Sequence, residues 1–325
     1  MLDQKKNLFI FNFNKSFNQF IKGVLMFFTP IIIIYIIIEL FIFKIPSNFS
    51  IIGNYLDRHQ DEIEVAVFGS SQIKYSINPA FLDKKSINLS STMQHHNTDF
   101  KLLEQSRKRF KKLSTVVLEV SYGHFEVRHN SKYYWKSNVF LKYYGVNLLN
   151  RNPYPTDYLL YISNPSYFSK QIFEHIFKND KDIKYNEFGF LKNKYDGKFK
   201  TLNFDTIAFS KSYVKINRRA NKNIFEHNVS FFYNMLEYCE NEGLNIVILS
   251  PPTFNNYNNL RNPFILKRRD SILTVISKKH KNIFFLNSEE DTKFTVKEFW
   301  DEKHLNPDGA KIFSLQLNEL LNSIE

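Results

Sequence analysis

Val65-Ala66-Val67-Phe68-Gly69-Ser70-Ser71-Gln72 is an apolar run that passes directly into a small-residue turn carrying two adjacent hydroxyls. Four apolar residues closed by Gly predict a buried strand, and the serines after it place a hydroxyl at the carboxyl end of a sheet, where open α/β folds hold their ligands. Backbone N–H groups of such a turn and of the helix that follows it are able to face a developing negative charge. Alone, the turn says little, because Gly and Ser are what most strand-to-helix turns use.

The far end of the chain gives the turn its meaning. Phe299-Trp300-Asp301-Glu302-Lys303-His304-Leu305-Asn306-Pro307-Asp308-Gly309-Ala310 sets a carboxylate and an imidazole three residues apart, just ahead of a helix. Asn306 suits an N-cap and Pro307 a first helical position, so His304 is expected on the loop before the last helix. There Asp301 is able to orient it while it reaches a nucleophile elsewhere, the arrangement that acyl chemistry needs.

In the order Ser, then Asp, then His, the two stretches resemble the SGNH/GDSL hydrolase family. The resemblance covers about 63–120 and 244–323 and implies Ser71 as nucleophile, His304 as base and Asp301 as its partner. The family's Gly-Asp-Ser turn has Ser70 in place of Asp here, a departure shared with membrane-anchored branches that act on cell-surface polymers. The family's second block ends in a Gly whose N–H helps bind the oxyanion, a place taken here by Ser90 or Ser91. Its third block, Gly-x-Asn-Asp, is replaced by Ser121-Tyr122-Gly123, so the Asn donor is absent: either Ser121, Tyr122 or a backbone group substitutes for it, or catalysis is weak. Losing such a donor typically costs about 3–4 kcal/mol of transition-state stabilisation.

The segments between repeat the strand-and-helix rhythm. Ser86 to Ser91 reads as a second short strand and Val116 to Ser121 as a buried third, with helical spacing over Asp99 to Lys112 between them. A helix near Phe225 to Glu242 precedes the strand Leu244 to Ser250; a helix from about Arg261 to Lys279, the strand Ile283 to Asn287 and a final helix Asp308 to Ile324 complete the set. Alternation of this kind predicts an α/β fold, a three-layer parallel sheet with helices on both faces. From about 125 to 223 the rhythm fades into a stretch rich in Tyr, Phe, Asn and Lys, including Tyr133-Tyr134-Trp135 and Tyr143-Tyr144. We expect this insertion to form a cap whose aromatic residues build a small core of their own and touch substrate at its edge.

At the other end, Ile21 to Phe43 approaches the roughly 20 apolar residues that span hydrocarbon. Lys44-Ile45-Pro46 offers no cleavage site, which favours an uncleaved transmembrane helix over residues 21–43. Lys5, Lys6, Lys15 and Lys22 precede it and only Lys44 and Arg58 follow closely, so residues 1–20 are expected in the cytoplasm and the α/β domain, 63–325 after a linker at 44–62, in the periplasm or outside. Glu39 lies near the outer end of this run, within reach of lipid headgroups. The net charge of +12 is spread along the chain without a nucleic-acid module, so we expect the bilayer, a surface glycan or polymer and a membrane acyl-donor protein as partners, and no nucleic acid. The single cysteine, Cys239, sits in a helical pattern and reads as a buried structural thiol. His95 and His96 are adjacent and point to different sides, no ligand cluster of fixed spacing accompanies them, and no metal or cofactor is expected. A rival to the enzyme is a membrane-tethered scaffold or glycan-binding protein that kept the fold and lost the Asn donor.

Overall fold

The computed structural model describes residues 15–128, 135–177 and 184–324. In chain order the elements are α1 (Lys15–Lys44), α2 (Asn48–His59), β1 (Val65–Phe68), α3 (Ser71–Ser76), β2 (Ser86–Asn88), α4 (His96–Ser106) and β3 (Thr115–Glu119). The insertion follows with α5 (Trp135–Tyr144), α6 (Pro165–Phe177), α7 (Lys198–Thr201) and α8 (Thr206–Ser210). The chain then resumes with α9 (Lys222–Asn241), β4 (Asn245–Ser250), α10 (Asn255–Asn258), α11 (Pro263–Lys279), β5 (Ile283–Asn287), β6 (Phe299–Asp301), β7 (His304–Leu305) and α12 (Pro307–Ser323).

Strands β1 to β5 form one fully parallel sheet in the order β2-β1-β3-β4-β5, with Val65 opposite both Ser86 and Thr115. Side chains alternate across a strand, and a parallel sheet is covered on both faces, so each strand feeds two cores. Ala66, Phe68, Val116, Leu118, Ile246 and Ile248 enter the first, with apolar residues of α2, α4, α5 and α9. Val65, Val67, Val117, Val247 and Leu249 enter the second, with Ile73 of α3 and Phe313, Leu317 and Leu321 of α12. This is the α/β architecture that the alternation of strands and helices implied.

Residues 48–59, within the stretch read as a linker or short helix, form α2, which packs on α5 and buries Phe49, Ile52, Tyr55 and Leu56 in the first core. Two expectations are corrected. The insertion's aromatics do not make a separate core. Phe140 and Phe168 join the first core and Phe199 and Phe209 the second, because apolar rings gain more by extending an existing interior than by burying one another alone. Tyr133 and Tyr134 lie outside the described residues. Glu39 does not reach outward to headgroups either. It is buried, and its carboxylate accepts the amides of Leu160 at 3.0 Å and Tyr161 at 2.8 Å and the Tyr35 hydroxyl at 2.7 Å, tying α1 to the insertion.

Within α1, Phe17–Lys44 is long and apolar enough to cross a membrane, a property that a signal sequence shares. Most of its large side chains, Leu25, Ile34 and Leu40 among them, are exposed.

Candidate active site

Strand β1 is followed by Gly69, whose φ of +152° suits glycine, and a Cβ there would lie 2.8 Å from Glu119 Oε2 and from Ile73 Cγ1. The turn can therefore close tightly against β3. Ser70 caps α3, its hydroxyl accepting the Gln72 amide at 3.2 Å, which makes Ser71 the first helical residue.

The two hydroxyls face different partners. Ser71 Oγ lies 2.8 Å from His304 Nε2, across 233 residues of chain, and His304 Nδ1 lies 2.9 Å from both oxygens of Asp301. With Nδ1 donating to the carboxylate, Nε2 is left to accept from Ser71. Asp301 Oδ1 also takes the amides of Lys303 and His304, each at 3.0 Å, so the carboxylate is aimed by backbone as well as by the ring. Burial pushes the Asp301 carboxyl up, but the neighbouring imidazole and the Lys303 amide outweigh it and hold the group below its ordinary range. Ser71, His304 and Asp301 are thus brought together in hydrogen-bonding order.

His304 is not on a loop. It begins β7, which pairs antiparallel with β6 so that Asp301 and His304 stand opposite each other. The Asn306 side chain caps α12 by accepting the Asp308 and Gly309 amides at 3.0 Å. Gly309 lets α12 approach the Glu298 carbonyl closely, where a Cβ would clash at 2.3 Å.

Ser70 turns away from this trio, donating its amide to Glu119 Oε2 at 2.6 Å and its hydroxyl to Glu119 Oε1 at 3.1 Å. Glu119 is fully buried and also accepts the Ser121 hydroxyl at 2.6 Å, beside His124 Nδ1 at 3.4 Å. Burial raises its carboxyl, but His124 and the donors from Ser121 and the Ser70 amide prevail and hold it at about 2. Sequence reasoning passed over Glu119; a lone carboxylate in Thr115-Val116-Val117-Leu118-Glu119-Val120 was the available signal.

The groups expected as oxyanion donors from the second and third blocks have partners within the protein. The Ser90 amide donates to Asn88 Oδ1 at 3.1 Å and the Ser91 amide to the Gly69 carbonyl at 3.0 Å, both committed to closing the β2 turn. Ser121 serves Glu119, while the Tyr122 amide donates to Glu289 at 3.0 Å and its hydroxyl to the Asn217 carbonyl at 2.8 Å, anchoring the loop after β3 to the insertion. Among the described residues the Ser71 amide has no hydrogen-bond acceptor.

Aromatic and cationic groups complete the surroundings, none of them evident from the motifs. Tyr75 and Trp300 present themselves edge-on to the His304 ring, at 5.6 and 6.0 Å between centroids. Lys194, from the insertion, places its ammonium 2.9 Å from the centroid of Tyr75 and 3.9 Å from that of Trp300. Burial lowers Lys194 to about 7, with Asp301 opposing and Lys74 adding to the shift. Lys74, one turn after Ser71 on α3, is lowered by burial to about 8. Lys136 of α5 bonds Ser91 Oγ at 3.0 Å and the Thr92 carbonyl, and is lowered to about 7 by burial and by Lys74.

Compared with known families and with curated proteins, the chain matches none. Among solved structures, a candidate acylhydrolase from Bacteroides fragilis aligns over 83% of this chain and 96% of its own, at 8% identity and a TM-score of 0.39. A candidate platelet activating factor from Streptococcus pneumoniae aligns over 83% of this chain and 91% of its own, at 10% identity and a TM-score of 0.38. Likeness at this level does not extend to chemistry, which is read from the side chains.

Proposed function

We propose that the chain is a membrane-tethered serine esterase or O-acyltransferase that handles acyl groups of a cell-surface polysaccharide through Ser71, His304 and Asp301. The observation that carries this reading is the hydrogen-bonded series from Ser71 Oγ to His304 Nε2 and from His304 Nδ1 to Asp301, at 2.8 and 2.9 Å. Nucleophile, base and orienting carboxylate each meet the geometric requirement for covalent acyl chemistry.

Ser71 Oγ attacks the ester carbonyl carbon while its proton passes to His304 Nε2, and Asp301 stabilises the imidazolium that results. The oxyanion is received by the Ser71 amide. As the intermediate collapses, the C–O bond to the alcohol breaks and the imidazolium protonates the departing oxygen. Water, or a glycan hydroxyl, then gives its proton to His304 and attacks the acyl-serine; as the acyl–Oγ bond breaks, the imidazolium returns that proton to Ser71 Oγ, releasing an acid or a new ester.

The exposed apolar surface of α1 supports a membrane span, and the basic residues ahead of it support a cytoplasmic N-terminus with the α/β domain outside. The glycan and membrane acyl-donor partners are inferred from that location. The commitment of the Ser90 and Ser91 amides favours the rival scaffold, and one experiment separates the two. Full-length protein in detergent is treated with a fluorophosphonate; adduct on Ser71, absent in Ser71→Ala, supports the enzyme, and an unreactive but folded wild type supports the scaffold. Mass analysis of surface polysaccharide from a Ser71→Ala strain then distinguishes transfer, which predicts lost acyl groups, from hydrolysis, which predicts gained ones.

A further inference from the structure

Behind the nucleophile turn, on the first-core side of Glu119, lies a cluster of polar groups that the acyl mechanism does not use. His96 and Asp99 sit three residues apart in the first turn of α4 and so share a face. His124 comes from the turn after β3, and each of the three brings one ligating atom to within 4.8 Å of the others. The pairing of His95 and His96 suggested no such grouping, because the other two members stand three and twenty-eight positions away from His96 and meet it only when β3 is laid beside β1. All three are interior, at 2%, 0% and 5% exposure for His96, Asp99 and His124.

We propose that His96, Asp99 and His124 form a buried site for a divalent transition-metal ion, Zn2+ by its donor set, that fixes the two loops flanking the nucleophile turn. Each member is held on one atom by the protein. His96 Nε2 lies 2.9 Å from the Glu119 carbonyl, His124 Nδ1 lies 3.4 Å from the Glu119 carboxylate, and Asp99 Oδ1 accepts the Gln94 amide at 2.7 Å. Among the described residues His124 Nε2 and Asp99 Oδ2 are both buried without a hydrogen-bond partner, as is Oε1 of Gln94, just ahead of α4. A histidine whose far nitrogen is oriented by a carboxylate or a backbone carbonyl is how proteins aim a metal ligand. Leaving three polar atoms unsatisfied in an interior is unfavourable, and a bound cation removes that cost.

Charge leads the same way. Glu119 and Asp99 put two carboxylates in one interior region, and among the described residues His124, beside Glu119, is their ion-pair partner, with no lysine or arginine paired to either. A divalent ion would balance them with both imidazoles neutral, the form in which histidine ligates. Two imidazoles and one carboxylate suit Zn2+, with Gln94 Oε1 or a water available as fourth ligand. Tetrahedral bonds of about 2.0–2.1 Å would draw the donors to about 3.4 Å of one another, a contraction that rotations of the two rings can supply. The consequence reaches Ser71 indirectly. His124 orients Glu119, Glu119 holds the Ser70 amide and hydroxyl, and Ser70 caps the helix that Ser71 begins. The three are positioning residues for the turn, not catalytic ones.

The test uses tag-free, full-length protein in detergent. Elemental analysis is expected to find about one Zn2+ per chain, retained in Ser71→Ala and lost in Asp99→Asn and His124→Ala. Removing metal with a chelator should lower Tm, and Zn2+ should restore it. Co2+ exchanged into the wild type provides a second readout that does not depend on the folding of the variants, with visible d–d bands of a low-coordinate ion expected. Wild type that holds no metal, gives no such bands and keeps its Tm on adding Zn2+ or chelator would overturn the proposal in favour of buried water. Stoichiometric metal that survives in folded Asp99→Asn and His124→Ala would overturn the assignment of ligands.

Discussion

Replacing Asp301 by Asn tests the acyl mechanism at its most informative point. Asp301 Oδ1 must go on accepting the Lys303 and His304 amides, so the Asn carbonyl oxygen is pinned there and its NH2 group takes the place of Oδ2, 2.9 Å from His304 Nδ1. Nδ1–H would then meet a donor and share an oxygen, also at 2.9 Å, that already takes two amides. This favours the tautomer with Nδ1 bare and Nε2 protonated, and Nε2 then points an N–H at Ser71 Oγ where it had offered a lone pair. With the base blocked, kcat should fall on the order of 10^4-fold, the scale seen when a triad carboxylate becomes an amide. At about 1.36 kcal/mol per decade this is about 5.4 kcal/mol of transition-state stabilisation. Folding should suffer little, since the backbone amides keep their acceptor, whereas Asp301→Ala leaves both without one and should cost stability as well, by about 1–3 kcal/mol. The assays are hydrolysis of p-nitrophenyl acetate and the rate of fluorophosphonate labelling, with Ser71→Ala as the zero and Tm as the control for folding. An Asp301→Asn protein that stays folded and labels within tenfold of wild type would refute the reasoning, because His304 would then not be taking the Ser71 proton.

Other outcomes follow from groups outside the trio. Glu119→Gln removes the charge that accepts three donors and orients His124, and should destabilise the fold by about 1–3 kcal/mol, read from thermal or denaturant unfolding in detergent; an unchanged midpoint would contradict the part given to Glu119 in holding the turn. Lys136 is lowered by burial to about 7, so between that value and its ordinary 10.5 the unfolded chain binds a proton that the folded chain does not. Stability should accordingly rise with pH across that window, and Lys136→Met should flatten the rise in a Tm-versus-pH series. Cys239 is fully buried and its thiol is pushed up to about 12 by burial, so a disulfide reagent should leave it untouched in the native protein and modify it on unfolding. Glu39→Ala removes the acceptor of the Leu160 and Tyr161 amides, and should speed proteolysis within 154–163 without altering cleavage elsewhere.

Sequence alone determined the elements whose burial is written in local pattern. The strands at Val65–Phe68, Thr115–Glu119 and Asn245–Ser250 are continuous apolar runs because both faces of a parallel sheet are covered, and that single property is enough to find them. The α12 start at Asn306-Pro307 was equally legible, since capping is a contact between near neighbours. Tertiary structure alone decided what meets across the sheet. It set Ser71 and not Ser70 against His304, turned the Ser90 and Ser91 amides inward, used Glu119 to hold the nucleophile turn and gathered His96, Asp99 and His124. These outcomes depend on strand order and on which way each turn closes. Such choices are made by long-range packing of the two cores, and no run of neighbouring residues records them.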